Sequence, residues 1–391
     1  MKEGWEYKKL GDIGIVVTGN TPSTKDDKNY LSDDVCFFKP GDIMEGKVTQ
    51  LKESEFYISN YAYEKSRKLP KGSVLTTCIG IIGKIGVLIH EATCNQQINA
   101  IIPNESLISS MFLAYSILAK KQRLAFMANA PVVPILNKSQ FSNLLIPVPP
   151  LPVQQRIVSH LDKINQIIDK LRDTLNVLNK AEQAIFYDMF GDPVENEKGW
   201  QVKTLNDIKD DKCTLSYGIV QPGVVIENGI PVVRPVDLNN DYVFIDNLKT
   251  IDKNISNQYK RTVLEGGEIL FCVRGTTGTM SIASAELKGC NVTRGIVPIS
   301  LKDYMEIWFV YYLLKSDSMQ IMIKDKTYGI ALKQINIKDL KLLPIILPPL
   351  SLQQSFASRI EVIEAQKQKI QTSIDKFQEM LDGTMDNYFG D

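Results

Sequence analysis

The sequence predicts an α+β protein built as a tandem duplication, in which a mixed α/β domain followed by a long helix occurs twice. Two observations lead to this fold class. Apolar residues with 4-3-4-3 spacing run through two long segments, and this spacing is typical of a coiled-coil seam. Adding 199 to the seam positions from 157 to 182 gives the second seam step for step. We therefore expect two long helices that pair as an antiparallel coiled coil with pseudo-twofold symmetry.

The two predicted helices begin and end with matching signals. Residues 149–155 read Pro-Pro-Leu-Pro-Val-Gln-Gln and residues 348–354 read Pro-Pro-Leu-Ser-Leu-Gln-Gln, and proline suits the first turn of a helix. Both helices end in Phe-Gly-Asp, where glycine suits a C-cap. The residues expected in the coiled-coil interface are Ile157, Leu161, Ile164, Ile168, Leu171, Leu175, Leu178, Phe356, Ile360, Ile363, Ile370, Ile374, Phe377 and Leu381.

One charged residue interrupts each seam, Glu182 in the first and Lys367 in the second. An antiparallel pairing that matches both helix ends puts Glu182 near Phe356 and Lys367 near Leu171, so we expect the two charges not to meet. Each could mark the register, face another subunit or reach solvent with its long side chain. We expect solvent exposure first.

The globular parts repeat at offsets near 195, as when residues 38–43 match 233–238 and residues 80–83 match 275–278. This predicts four segments: a first mixed α/β domain at 1–150, a first long helix at 151–191, a second mixed α/β domain at 192–349 and a second long helix at 350–391. Within the first domain we expect strands at 35–38, 73–77 and 85–89 and helical structure at about 107–128.

Composition excludes several classes of protein. Apolar content of 44% and charged content of 23% are ordinary for a globular chain. The sequence has no apolar run of about 18 residues and no signal-peptide pattern, so we expect a cytoplasmic location and no membrane partner. Six scattered cysteines and two histidines favour buried reduced thiols over a metal site. With 45 basic and 45 acidic residues, any nucleic-acid surface must arise from segregated charge.

Motifs of catalysis are missing or incomplete. Residues 80–84, Gly-Ile-Ile-Gly-Lys, have the wrong spacing for a phosphate-binding loop and are better explained as a glycine-rich turn. Asp42, Glu45 and Lys47 resemble a nuclease site only faintly, because the acids lie close together and the repeat lacks the lysine. We interpret the chain as non-catalytic, with no catalytic residue and no metal ligand.

Several residues are candidates for recognition. Lys39 and Arg234 precede matched Pro-x-Asp turns, where each could contact DNA or instead pair with Asp42 or Asp237. Arg274 precedes two threonines on a glycine turn, and arginine can contact guanine bidentately, although an exposed loop is an equal alternative. Gln96 and Gln97 lie where the second half has Val292 and Thr293, and this divergence is expected either for modules that read different sequences or for neutral drift.

Taken together, the chain resembles the specificity subunit of a type I restriction–modification system. The resemblance covers the whole chain and rests on the two Pro-Pro-Leu-x-x-Gln-Gln openings, the paired helices and the Met-Phe-Gly-Asp-Pro to Gly-Trp junction at 189–200. It implies that each mixed domain is a target recognition domain for one half of a bipartite double-stranded DNA site, and that the helices set the spacer. The residues expected to contact DNA are Lys39, Lys84, Gln96, Gln97, Arg234, Arg274, Thr276, Thr277, Arg294 and Lys333.

The resemblance also implies partners and cofactors. Two modification (methyltransferase) subunits would dock on the helices and adjoining surfaces, and restriction (endonuclease and translocase) subunits would join them. S-adenosylmethionine would bind the modification subunits, ATP and magnesium would bind the restriction subunits, and this chain would hold no cofactor itself. Two alternatives stay open from the residues: a two-headed coiled-coil scaffold that does not act on DNA, and a nuclease centred on Asp42, Glu45 and Lys47.

Overall fold

The computed structural model describes residues 4–128, 133–329 and 333–390. The chain forms two compact units, Met1–Arg172 with Thr372–Asp391 and Asp173–Gln371. Each unit contains one globular part, which we call the first module (described residues 4–150) and the second module (described residues 192–349). Each unit also contains a segment of both long helices. The predicted α+β class with a duplicated module and two long helices is confirmed.

The first module is built on a five-stranded mixed sheet flanked by smaller sheets. The order in the main sheet is Gly14–Thr18, Ile98–Pro103, Val74–Thr77, Ile85–Leu88, Val48–Leu51. The other strands are Glu6–Lys9 with Leu145–Val148, and Tyr57–Ile58, Val35–Phe38 and Thr93–Cys94. The α-helices are Leu10–Ile13, Asn60–Lys65, Ser110–Ala119, Lys121–Met127 and Lys138–Ser142, with short 3-10 helices at Asp27–Tyr30 and Pro40–Asp42.

The second module repeats this arrangement with one strand fewer among its described residues. Its main sheet has the order Tyr242–Val243, Met280–Ala283, Ile269–Cys272, Ile296–Ile299. The other strands are Gln201–Thr204 with Pro344–Leu347, and Lys249–Ile251, Ile230–Val233 and Asn291–Val292. The α-helices are Leu205–Ile208, Lys253–Gln258, Ile307–Lys315, Asp317–Asp325 and Ile337–Lys341, with 3-10 helices at Pro235–Asp237, Lys260–Thr262 and Ala285–Leu287.

The shared topology explains why the sequence repeat survives in particular segments. Val35–Phe38 pairs parallel with Thr93–Cys94 in the first module, and Ile230–Val233 pairs parallel with Asn291–Val292 in the second. The predicted strands at 35–38, 73–77 and 85–89 are confirmed within one residue at their ends. The helical region predicted at 107–128 is two helices, because the chain turns at Lys120, whose N–H bonds back to Ile117.

The two long helices span Leu151–Phe190 and Leu350–Phe389, with 40 residues each. Within each unit their segments run antiparallel. In the first unit His160 lies against Tyr388, and in the second unit Glu182 lies against Lys367 while Phe186 contacts Phe356. Among the predicted interface residues, the buried ones are Ile157, Leu161, Ile164, Ile168, Phe356, Ile360, Ile374 and Leu381, and the half-buried ones are Leu171, Leu175, Leu178, Ile363, Ile370 and Phe377.

The expected register of the helix pair is wrong. Lys367 Nζ lies 3.0 Å from Glu182 Oε2, so the two charges meet instead of lying three layers apart, and Glu182 is buried instead of exposed. Relative to a pairing that matches both ends, the helices are displaced by about two turns.

A buried glutamine ties the opening of each long helix to its own module. Gln154 Oε1 accepts from the Ser109 N–H at 2.9 Å, and its Nε2 donates to Leu107 O at 2.9 Å. Gln353 Oε1 likewise accepts from the Glu306 N–H at 2.9 Å. Both side chains are fully buried. The helix openings are therefore held by the modules, and pairing between the helices starts only beyond them.

Candidate nucleic-acid interface

In the first module, three loops that are distant in sequence meet at one edge. The Gly19 N–H donates to Ile98 O and the Asn20 N–H donates to Cys94 O, both at 3.0 Å. A Cβ atom on Gly19 would lie 2.2 Å from Asn95 O, so only glycine permits this approach. The third loop joins them through Cys78, because the Leu136 N–H donates to Cys78 O at 2.9 Å and the Cys78 N–H donates to Gln97 O at 2.8 Å.

These loops enclose a polar cleft of about 740 Å³. Its wall includes Asn20, Thr21, Arg67, Gln96 and Lys138. Thr21 Oγ1 donates to Gln96 Oε1 at 2.5 Å, and the Arg67 guanidinium donates to the carbonyl oxygens of Thr18 and Gly19. The cleft therefore presents amide, hydroxyl and cationic groups together, which are the groups that read base edges and phosphates.

The second module brings its own loops together in the same way. The Ile219 N–H donates to Val292 O and the Arg294 N–H donates to Ile219 O, both at 2.8 Å. The Gly275 N–H donates to Lys333 O at 2.8 Å, and Thr277 Oγ1 donates to the same oxygen at 3.1 Å. The structure thus gathers five residues of the predicted set in one loop cluster: Arg274, Thr276, Thr277, Arg294 and Lys333.

Side-chain placement differs within that cluster. Arg294 and Lys333 are exposed and Arg274 is half-buried, and among the described residues no ion pair holds any of the three. Thr276 Oγ1 lies 3.4 Å from Cys272 Sγ. The cations are therefore available to a ligand, while the threonines help to hold the turn.

The matched cations Lys39 and Arg234 have different surroundings. Arg234 donates from Nε and Nη2 to the carboxylate of Asp237 at 3.0 and 2.7 Å, which is the ion pair weighed as the alternative. The pKa of Arg234 is raised, mainly by its hydrogen bond to that carboxylate. The Lys39 ammonium lies 3.0 Å from the centre of the Phe56 ring, while Asp42 accepts from the Lys39 backbone N–H at 2.7 Å.

Two of the other residues predicted to contact DNA in the first module, Lys84 and Gln97, make hydrogen bonds within the protein. Lys84 Nζ donates to Pro40 O at 3.1 Å. Gln97 Oε1 accepts from Asn95 Nδ2 at 2.9 Å, whereas Gln96 lines the cleft. Asn20, Thr21, Arg67 and Lys138 were missed from the sequence. Lys138 had a signal, because it precedes Lys333 by the same offset of 195 that relates the modules.

The nuclease alternative is not supported by the arrangement of its residues. The Asp42 carboxylate accepts from the backbone of Lys39 and Glu55, Glu45 pairs with Lys121 at 2.7 Å, and Lys47 pairs with Asp169 at 3.3 Å. The three side chains therefore serve three separate contacts. Residues 80–84 form a turn between strands Val74–Thr77 and Ile85–Leu88, with positive φ at Gly80 and Gly83. This is the glycine-rich turn that the sequence predicted.

The cysteines fit buried thiols. Five are buried and Cys213 is half-buried. Burial raises the pKa of Cys78 to about 11 and that of Cys94 to about 12, so both stay protonated at neutral pH and react poorly. Of the helices in the described ranges, none is both long enough and apolar enough to cross a membrane.

Comparison with known proteins gives one family. A family model described as the type I restriction modification DNA specificity domain matches residues 2–180 and again residues 197–376. The type I restriction enzyme MjaIX specificity subunit of Methanocaldococcus jannaschii is 27% identical over 93% of this chain and 89% of its own length. The EcoBI specificity subunit of Escherichia coli is 26% identical over 72% of this chain and 65% of its own length.

A solved structure shares the fold. The S subunit of a type I restriction–modification system from M. genitalium matches with a TM-score of 0.56 at 13% identity, covering 99% of this chain and 96% of that one. At this identity the likeness concerns the fold alone. The family model, which matches once per half, covers both loop clusters described above.

Proposed function

The chain belongs to the type I restriction–modification DNA specificity family, and on that premise we propose that its two modules each read one half of a bipartite DNA sequence. The reading modules are residues 1–150 and 192–349, joined by the long helices 151–191 and 350–391. The helices set the gap between the half-sites. As a specificity subunit the chain is not an enzyme, and its task is to choose the DNA sequence on which partner subunits act.

The observation that carries this proposal is the repeated loop cluster. In each module, loops from separate parts of the chain meet at one edge, fixed by backbone hydrogen bonds and close glycine contacts. Each cluster carries cations, Arg67 and Lys138 in the first module and Arg274, Arg294 and Lys333 in the second. Phosphate contacts orient a protein on DNA, whereas polar side chains in the grooves select bases.

The two clusters differ in the residues that would select bases. The first presents Asn20, Thr21 and Gln96, while the corresponding loop of the second module exposes Val220 and Val224. Amides contact adenine, and apolar groups contact the thymine methyl group. Different side chains on the same scaffold support two different half-sites.

The proposed function requires partner subunits that carry out the chemistry on DNA. Two modification subunits dock on the helices and adjoining surfaces, and restriction subunits join the assembly. S-adenosylmethionine is held by the modification subunits, and ATP with magnesium is held by the restriction subunits. The chain itself contributes DNA recognition and geometry.

The test is to map methylation produced by the assembled complex. The chain is co-expressed with its neighbouring modification subunit, and the host DNA is sequenced for methylated bases. We expect a motif of two short halves with a fixed gap. Exchange of residues 200–347 for the matching segment of a relative should change one half and leave the other half unchanged.

Two controls make the result decisive. The modification subunit without this chain should methylate no specific motif, and Lys288→Ala, which removes an exposed lysine paired with Glu265, should leave the motif unchanged. An assembled complex that methylates no motif would contradict the proposal, as would duplex binding that does not weaken when salt is raised. Either result would favour the scaffold alternative.

A further inference from the structure

A buried cluster of charges surrounds Lys367 of the second long helix. Its Nζ lies 3.0 Å from Glu182 Oε2 on the first helix and 2.8 Å from Asp241 Oδ2 in the second module. It also contacts the Glu364 carboxylate one turn earlier on its own helix. The exposed fractions of the side chains are 13% for Lys367 and 1% for Glu182. One ammonium group therefore joins two helices and a module.

Neighbouring groups hold the carboxylates in place. Tyr312 Oη donates to Glu182 Oε2 at 2.7 Å, and Tyr311 Oη donates to Asp241 Oδ1 at 2.6 Å. Lys315 Nζ pairs with Asp241 at 2.5 Å. Burial disfavours the charged form of Lys367, but Asp241 and Glu364 outweigh it and keep its pKa raised. The cluster thus contains a charged lysine whose partners come from separate elements.

The three carboxylates have oxygens within 4.8 Å of one another, a spacing compatible with a bound metal ion. The Lys367 ammonium already lies in contact with all three, so the chain supplies the cation itself. We therefore regard the cluster as a structural link.

The first unit shows that helix pairing does not require these charges. The positions that correspond to Lys367 and Glu182 at the offset of 199 are Ile168 and Leu381, and both are buried. There the module contacts the first helix through Tyr115, whose Oη donates to Asp162 at 2.7 Å, and through the exposed pair Lys47–Asp169. Apolar residues can replace a buried ion pair without loss of stability, and buried charges in coiled coils are best attested as markers of register.

We propose that Lys367 is a positioning residue, which holds the Asp241 loop and thereby the second module at one place on the helix pair. On this view, which rests on the proposed function, the gap that the complex accepts between half-sites depends on Lys367. Removing the ammonium leaves the recognition loops intact but lets the module shift on the helices. The complex then tolerates gaps that the native protein rejects.

The test measures methylation of duplexes whose gap is native, one base pair shorter or one base pair longer. In Lys367→Met we expect the ratio of the methylation rate at the native gap to that at the altered gaps to fall by about tenfold, because a buried link is broken. Lys367→Arg should restore the ratio, since a guanidinium can still contact the carboxylates. Lys47→Met, which breaks the exposed pair of the first module, should leave the ratio unchanged.

A second variant and a second measurement keep the inference testable if Lys367→Met folds poorly. Asp241→Asn removes only the module's charge and keeps the Glu182–Lys367 pair, so it should lower the ratio even if Lys367→Met folds poorly. Spin labels at Val177 and Phe244, both exposed and both in the second unit, should give a broader distance distribution in either variant. An unchanged ratio and an unchanged distribution would overturn the inference. Failure of the native complex to methylate a bipartite site would instead count against the proposed function.

Discussion

Gln154 illustrates at the residue scale how one side chain ties a long helix to a module. Its amide makes three hydrogen bonds, to the Ser109 N–H and to the carbonyl oxygens of Leu107 and Pro149. The side chain is fully buried, whereas the adjacent Gln155 is exposed. The chain therefore uses the two glutamines of its repeated Gln-Gln motif in different ways.

We expect Gln154→Ala to lower the free energy of unfolding by about 2–4 kcal/mol, because it leaves buried donors and acceptors unpaired. Urea denaturation measures the change. Gln155→Ala is the matched control and should stay within about 0.5 kcal/mol of the native chain. Equal losses in the two variants would show that the hydrogen bonds of Gln154 are not what stabilises the helix opening.

Some of these side-chain contacts could be predicted from the sequence and others could not. Gln154 precedes Ile157 by three residues and so falls on the apolar face of the helix. Its burial could therefore have been predicted from the sequence. Contacts made by Arg234 were also foreseen as an alternative, since Asp237 lies one turn away in sequence. The position of Arg67 could not be predicted in this way, because its partners Thr18 and Gly19 lie far from it in the sequence and come close only in the folded chain.

At the scale of elements, the position of both long helices followed from heptad spacing, but their register did not. Seam spacing fixes which face is apolar and leaves the axial position of one helix along the other undetermined. Contacts outside the seam, such as those of Gln154 and Gln353 with the modules, also act on the helices and are not visible in the heptad spacing. This is why Glu182 and Lys367 were expected in solvent and are instead found together in the interior.

The charge cluster on these helices gives stability a pH dependence. Burial raises the pKa of Glu364 to about 7 from an ordinary value of 4.5, although its hydrogen bond to Lys367 acts in the opposite direction. The folded chain therefore binds this proton more firmly than the unfolded chain. The stabilisation is complete below pH 4.5 and is lost as the pH rises through 7.

We expect Glu364→Gln to reduce the decline in unfolding free energy between about pH 5 and 8, because glutamine stays neutral throughout. Denaturation with urea across this range measures the slope. Glu361→Gln, an exposed change on the same helix, should keep the native slope. His90 in the first module also has a raised pKa, mainly from a backbone hydrogen bond with Glu91, and its contribution is common to all three proteins. A native slope in Glu364→Gln would assign the pH dependence to other groups.

On the scale of the whole molecule, the compact units do not follow the linear order of the repeat. The second unit is one continuous segment, Asp173–Gln371, whereas the first combines Met1–Arg172 with Thr372–Asp391. The duplication was readable from the sequence because matching residues recur at fixed offsets. The division of the first unit into two separate segments could not be predicted, because it depends on which parts of the two long helices pack against each other.

Deletion of residues 372–391 should therefore affect the two units unequally. The seam residues of 151–172 lose Ile374, Phe377 and Leu381, while the second unit retains all its segments. Hydrogen exchange measured by mass spectrometry should show lost protection at 151–172 and near-native protection in the sheet strands of 230–299. Those strands are the internal control, and equal loss in both places would contradict this division of the chain.

The divided first unit also has a consequence for synthesis. A ribosome makes the chain from the N-terminus, so the second unit has all its residues before the first unit does. The module that is made first must wait, with the apolar face of its helix uncovered, until the final helix segment emerges. The order in which the two halves are translated is thus the reverse of the order in which they can be completed.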